Sequence, residues 1–256
     1  MSSFEPALCS VTFRKLTPEK IVELSLDAGL AAIEWAGDAH VPLGDTMIAT
    51  HVARLSRKAG FATSYGSYVA PPTADLAVFR RALETAIALD ASNIRIWPGT
   101  RERASSDYNA DERRSTVDAI RDMATEAARS GLTVALEYHP LSLTENTDSA
   151  RRLIDAIAHS NVYLYWQPRP GLALDDALAE IAEIGAHVSH VHVFAWNSTR
   201  NRFSLKTASA YWRTVFSAMP ASRWTGRRFA MLEFVVDDDP LALLDDAATL
   251  RQILKA

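Results

Sequence analysis

Residues 117–140, VDAIRDMATEAARSGLTVALEYHP, contain one full repeat of the pattern that decides the fold. Val117, Ile120, Met123 and Ala127 recur at helical spacing and stop near Gly131, and the run from Thr133 to Tyr138 that follows is almost wholly apolar. A helix with one apolar face, followed by a strand with hardly any polar face, is what a parallel sheet buried beneath helices requires. The same alternation extends in both directions along the chain. Strands are predicted at 8–13, 32–35, 62–68, 93–97, 133–138, 162–166, 188–194 and 229–235.

Helical patterns fill the gaps. The first opens on Thr17-Pro18 and carries Ile21, Leu24 and Ala28 on one face before Gly29; the second runs from Asp45 to Gly60. Thr73 is a cap for a third with Leu76, Phe79, Leu83 and Ile87 inward, and Asp175 and Thr207 are caps for later ones. The last begins at Asp239-Pro240 and buries Leu243, Ala247, Leu250 and Leu254. Eight strand and helix alternations in this length predict an α/β fold, a (β/α)8 TIM barrel, as one domain over 1–256. An open doubly wound sheet more often brings a glycine-rich phosphate turn, and neither G-x-G-x-x-G nor a Walker A motif occurs.

Composition narrows the function. A chain of 256 residues, 48% hydrophobic and 23% charged, can bury a large core. Its net charge of -4 gives no broad cationic footprint, so nucleic acid is not an expected partner. Cys9 is the only cysteine, which excludes an intrachain disulfide and fits a reducing, cytoplasmic setting. No apolar run reaches the roughly 18 residues of a spanning helix, so no membrane association is expected. Trp212 and Trp224 are read as exposed apolar residues and hence as candidate contacts of a homo-oligomer.

Four polar side chains end the last four apolar runs: Glu137, Gln167, His192 and Glu233, separated by 30, 25 and 41 residues. An ionisable or amide group ending such a strand must be paired, solvated in a cleft or bound to metal. In a barrel the strand ends converge on one mouth, so the four can meet. Oxygen and imidazole donors suit Mn²⁺, Mg²⁺ or Co²⁺, with Zn²⁺ also compatible. The competing reading pairs Glu137 or Glu233 with Arg95 or Arg228 as structural ion pairs. Around the same mouth, His40, Trp35, Tyr68, Trp97, His139, Trp166 and Trp196 are candidates for substrate contact, the aromatic faces serving as platforms for sugar C–H surfaces. Arg14 and Arg200 are candidate anion clamps or solvated surface groups. The polar loop from Pro98 to Asn109 follows the fourth strand and is a candidate lid.

Five segments carry a family resemblance: IEWAGDAHVP (33–42), IRIWPG (94–99), LEYHP (136–140), HVHVF (190–194) and LEFV (232–235). On these the chain resembles the xylose-isomerase-like TIM barrels, the group also called sugar phosphate isomerase/epimerase, over essentially its whole length. The resemblance implies one divalent ion held by Glu, Asp, His and Glu, with Glu137 in the first place, His192 in the third and Glu233 in the fourth. In the second place relatives carry Asp with His three residues later, whereas this chain reads Gln167-Pro168-Arg169-Pro170. Gln167 can ligate through its amide oxygen but brings no charge. Arg169 in place of the sugar-contacting histidine would suit a substrate bearing carboxylate or phosphate.

The chemistry expected is metal-assisted isomerisation or epimerisation of a small polyhydroxy carbonyl compound through an enediolate, with Glu137 and Glu233 as base and acid. A lyase or dehydratase using the same enolate, and a sugar-binding barrel without turnover, are the alternatives.

Overall fold

The computed structural model describes residues 4–100 and 102–255. Eight strands, β1 (Phe4–Cys9), β2 (Ala32–Ala36), β3 (Ala62–Gly66), β4 (Asn93–Ile96), β5 (Thr133–Glu137), β6 (Val162–Trp166), β7 (Val188–Val193) and β8 (Arg228–Leu232), form a closed barrel in sequence order. All neighbours are parallel, and β8 returns to β1 with Phe4 opposite Arg228 and Leu8 opposite Leu232. Helices α1 (Pro18–Asp27), α2 (Thr46–Ala59), α3 (Leu76–Ala88), α4 (Ala110–Arg129), α5 (Thr147–Ile157), α6 (Leu174–Ile184), α7 (Ser209–Ala218) and α8 (Pro240–Lys255) cover the outside. The (β/α)8 reading of the sequence therefore holds.

The period of two along each strand sorts the core into two shells. Leu8, Ile33, Trp35, Ile94, Ile96, Val134, Leu136, Leu164, Trp166, Val191 and Val193 pack outward against the helices, with Ile21, Val52, Phe79, Ile120, Ile154, Ile181 and Leu250 facing them. The inner shell is small and sparse: Ala7, Cys9, Ala32, Ala36, Ala135, Tyr165, Phe229 and Met231. With so much alanine at the axis, the polar groups of the upper layer have room to meet. Caps fix the helix starts that face the mouth: Thr17 accepts from Lys20 N at 3.4 Å, Asp45 from Ile48 N at 2.9 Å, and Asn109 with Glu112 forms a capping box on α4.

The structure moves several predicted elements. The first strand begins at Phe4 and ends at Cys9, and Ser10–Phe13 is a 3-10 turn. Ser10 Oγ accepts from Ala36 N at 2.8 Å, so a side chain takes the donor that would have continued the ladder. Val11 and Phe13 are apolar because they are buried under this turn. The cap of α3 is Asp75, accepting from Val78 N at 2.9 Å, rather than Thr73, and Ile87 is 50% exposed. Asp175 lies in the first turn of α6 behind Ala173, and Thr207 sits in the 3-10 turn Leu205–Ala208 that precedes α7. Trp212 is fully buried and donates through Nε1 to Phe194 O at 2.8 Å, so it is no candidate subunit contact. Trp224 is half-buried, edge-on to Tyr163 and His190. Among the described residues no helix is long and apolar enough to cross a membrane.

Candidate functional site

The upper inner layer of the barrel is built from six strands. β2 contributes Glu34, β4 Arg95, β5 Glu137 and β7 His192, while Gln167 and Glu233 follow directly on β6 and β8. All are buried except Glu233, whose side chain is 11% exposed. Inward residues alternate with outward ones, so Trp35 beside Glu34 and Trp166 beside Gln167 must face the helices.

His192 is the hub. Its Nε2 lies 3.0 Å from Glu34 Oε2. That contact assigns the proton to Nε2 and leaves Nδ1 facing Gln167 Oε1 at 3.2 Å, Glu137 Oε1 at 3.9 Å and Glu233 Oε2 at 3.9 Å. Donors about 2 Å from one ion lie about 3–4 Å apart, so these separations match a shared ligand. One nitrogen and three oxygens are donors that a hard or borderline divalent ion accepts, and the four residues fit such an ion.

A second ring holds the first. Arg95 Nε donates to Glu34 Oε1 at 2.6 Å, and its Nη1 donates to Glu137 Oε2. Glu137 Oε1 stays turned to the centre, where Gln167 Nε2 donates to it at 3.4 Å. The pairing of Glu137 with Arg95, raised from sequence as the rival to metal binding, thus engages the oxygen that faces away from His192 Nδ1. Gly66 makes this ring possible: a Cβ there would collide with Glu34 Oε1 and lie 2.8 Å from Arg95 Nη2.

Charge follows the geometry. Burial alone would raise the Glu34 carboxyl, but Arg95 and His192 outweigh it and hold it down at about 2. For Glu233 burial wins and pushes the carboxyl up to about 7, with Glu137 adding to the rise and His192 and Arg95 opposing it. His192 is raised, burial being overcome by Glu233, Glu34 and Glu137. Cys9, His192 and Glu233 also bring one ligand atom each within 4.8 Å of one another. Burial, reinforced by Glu34 and Glu233, keeps the Cys9 thiol protonated, which makes it a poor ligand beside the carboxylates.

Above this layer opens a cavity of about 360 Å³, lined by Glu137, Gln167, Glu233, Arg95, Tyr68, Trp97, His139 and Trp196, with Arg14, Arg200, Phe194 and Phe234 at its walls and rim. Trp97 packs on His139 at 4.1 Å and on Tyr68 at 6.4 Å between ring centroids. Four of the expected contact residues are not brought to the cavity. Trp35 is buried with Nε1 on Ser56 Oγ at 3.1 Å, and Trp166 is buried with Nε1 on Glu180 Oε2 at 3.1 Å. His40 is buried between Ser10 Oγ at 3.0 Å and Phe13 O at 3.2 Å, where it braces the β1 turn. Arg169 turns outward to Glu180, 3.9 Å away.

Residues 22–253 match the model of the xylose isomerase-like TIM barrel. The chain belongs to this family. No curated protein matches the sequence. Solved structures with the same fold include a probable 3-DHS dehydratase from Bacillus anthracis, involved in petrobactin synthesis. It shares 16% identity at a TM-score of 0.78, over 97% of this chain and 99% of that one. A D-psicose 3-epimerase determined in the presence of D-fructose is 16% identical at a TM-score of 0.75, over 99% and 100%. A xylose isomerase-like TIM barrel protein from Mycobacterium smegmatis, in complex with magnesium, is 15% identical at 0.71, over 98% and 96%.

Within this xylose isomerase-like barrel, Glu34 and Arg95 are the site residues that the sequence reading left out of the constellation. The signal for both was present, since each is a charged residue inside an apolar run, AAIEWA and NIRIW. The rule applied to the last four strands applies equally to β2 and β4.

Proposed function

We propose that this chain is a divalent-metal-dependent isomerase or epimerase of a small sugar or sugar-acid derivative, acting through an enediolate. The observation that carries this reading is the convergence of Gln167 Oε1, Glu137 Oε1 and Glu233 Oε2 on His192 Nδ1, with Nε2 already committed to Glu34. A magnesium complex in a similar barrel agrees with it. A divalent ion held by Glu137, Gln167, His192 and Glu233, preferably Mn²⁺, Mg²⁺ or Co²⁺ and less readily Zn²⁺, would supply electrophilic polarisation of a carbonyl and its adjacent hydroxyl.

The chain's own residues do the rest. Glu137 is pinned through Oε2 by Arg95, so Oε1 is held toward the ion and the carbonyl that the ion would polarise. Glu233 turns Oε2 toward His192 Nδ1, and its second oxygen can take a proton from the carbon beside the carbonyl and return it. Trp97, Trp196, Phe194 and Phe234 line the cavity and limit water around the carbanionic carbon. Gln167 contributes an oxygen and no charge, so two carboxylates of the donor set balance a dication while Glu34 balances Arg95.

The test is to strip the protein of metal, restore Mn²⁺, Mg²⁺, Co²⁺ or Zn²⁺ separately, and follow deuterium entry from D₂O into ketoses and sugar acids. Exchange beside the carbonyl, dependent on added ion and lost in Glu137→Gln, is expected; product analysis separates isomerisation from loss of water. If nothing in the panel exchanges under any ion, the reading fails.

A further inference from the structure

We infer that the substrate of this site is a carboxylate-bearing sugar derivative whose anionic end is bound at the rim by Arg200; this rests on the reading above. Among the described residues, the cations lining the cavity are Arg14, Arg95 and Arg200. Arg14 donates to Asp38 Oδ2 at 2.8 Å, and Arg95 is shared between Glu34 and Glu137. Arg200 alone of the three makes no side-chain hydrogen bond or ion pair among the described residues, and its backbone N donates to Asn197 O at 2.9 Å.

Its position is built rather than incidental. Arg200 sits at φ 64, a left-handed conformation that a non-glycine residue adopts only when its surroundings enforce it. Asn197 enforces it: Oδ1 accepts from Thr199 N at 3.1 Å, Thr199 Oγ1 at 2.8 Å and Asn201 N at 2.9 Å. A bridge between Trp196 and Arg202 closes the loop.

The charge balance points the same way. Glu137 and Glu233 offset a dication, Glu34 offsets Arg95 and Asp38 offsets Arg14, which leaves one positive charge, on Arg200. An aspartate at position 167 would have cancelled it; Gln167 does not. One guanidinium fork matches one carboxylate. Phosphate fits less well, because barrels of this kind hold it at the loops after the last two strands, often on glycine-rich backbone. Here the loop after β7 contains no glycine and the loop after β8 carries Asp237, Asp238 and Asp239.

The experiment uses Mn²⁺-loaded protein and calorimetric titration with matched ligands: 2-keto-D-gluconate against D-fructose, D-glucuronate against D-glucose, and fructose 6-phosphate as the phosphate arm. At least one acid is expected to bind about tenfold tighter than its neutral partner. Arg200→Gln should abolish that preference, Arg200→Lys should keep part of it, and Arg213→Gln, on the exposed face of α7, should keep all of it. The inference is overturned if no acid outbinds its partner, if fructose 6-phosphate outbinds every acid, or if the preference survives Arg200→Gln. Deuterium exchange separates the two claims: exchange into neutral ketoses with no acid preference sinks this inference and leaves the proposed activity standing. Arg200-dependent acid binding without exchange under any ion does the reverse.

Discussion

Replacing Gly66 with alanine tests whether the Glu34–Arg95 pair is a rigid part of the site. Gly66 is not at positive φ, so no backbone strain enters and the whole effect is the added methyl. That methyl would collide with Glu34 Oε1 and lie 2.8 Å from Arg95 Nη2. The Glu34 carboxylate would have to retreat by about 1 Å to reach ordinary contact. A retreat of that size breaks the 2.6 Å bond from Arg95 Nε and disturbs the 3.0 Å contact with His192. Overpacking costs about 1–3 kcal/mol and breaking a buried pair about 3–5 kcal/mol. Because Arg95 keeps Glu137, the expected loss is about 3 kcal/mol, or a fall in melting temperature of about 6–12 °C. Urea denaturation of the wild type, Gly66→Ala, Glu34→Ala and the double variant measures it as a cycle. In the Glu34→Ala background the same methyl meets only Arg95, still held by Glu137 but with the space of the Glu34 side chain to move into, and its cost should fall below about 1 kcal/mol. Equal costs in the two backgrounds, or a negligible cost in the wild type, would refute the collision as the cause.

Three further outcomes follow from the geometry. Gln167→Glu places a carboxylate beside Glu137, so the metal-free variant should melt lower than the wild type. Added Mn²⁺ should raise its melting temperature more than it raises that of the wild type, with about a tenfold gain in affinity by calorimetry. Burial raises the Glu180 carboxyl above its ordinary range, against the opposing bond from Trp166. The folded state therefore holds that proton more tightly than the unfolded state. Its stabilising effect is complete below the ordinary carboxylate pKa of about 4.3 and is lost as pH rises through the raised value. Relative to Glu180→Gln, wild-type stability in urea should decline from acidic toward neutral pH. Arg169→Met should leave KM within about twofold, because Arg169 faces Glu180 on the outside of the mouth.

What the sequence disclosed and what it withheld have one physical cause. Seven of the eight strand positions, the barrel and the meeting of Glu137, Gln167, His192 and Glu233 depend on hydrophobic period and on strand ends sharing a mouth, and both can be read without coordinates; the first strand is displaced because the apolar run continues into the buried 3-10 turn Ser10–Phe13. Trp35, Trp166 and His40 lie close to strand ends yet away from the cavity, because proximity to a strand end does not fix which way a side chain faces. The alternation of faces decides instead, and a tryptophan next to an inward glutamate or glutamine has to point outward. Arg169 neighbours Gln167 in sequence, yet its side chain approaches Glu180 instead. No periodicity encodes that choice.

The second ring explains how so polar a cluster is compatible with a folded core. A lone carboxylate at the barrel axis would protonate or draw in water. Glu34 escapes this because Arg95 and His192 both bond it, and it in turn orients His192 so that Nδ1, not Nε2, faces Gln167, Glu137 and Glu233. Arg95 does the same for Glu137 by occupying the oxygen on the far side. Each outer group thus fixes one inner group, and the orientation it imposes is the one the proposed ion would need. Among the described residues Glu233 has no such partner on the second ring, and it is the carboxyl that burial pushes up to about 7. The proposed proton transfer beside a carbonyl would use a site with His192 and Glu137 held fixed and Glu233 not so held, and the fixed half can be read from Gly66, Glu34 and Arg95 alone.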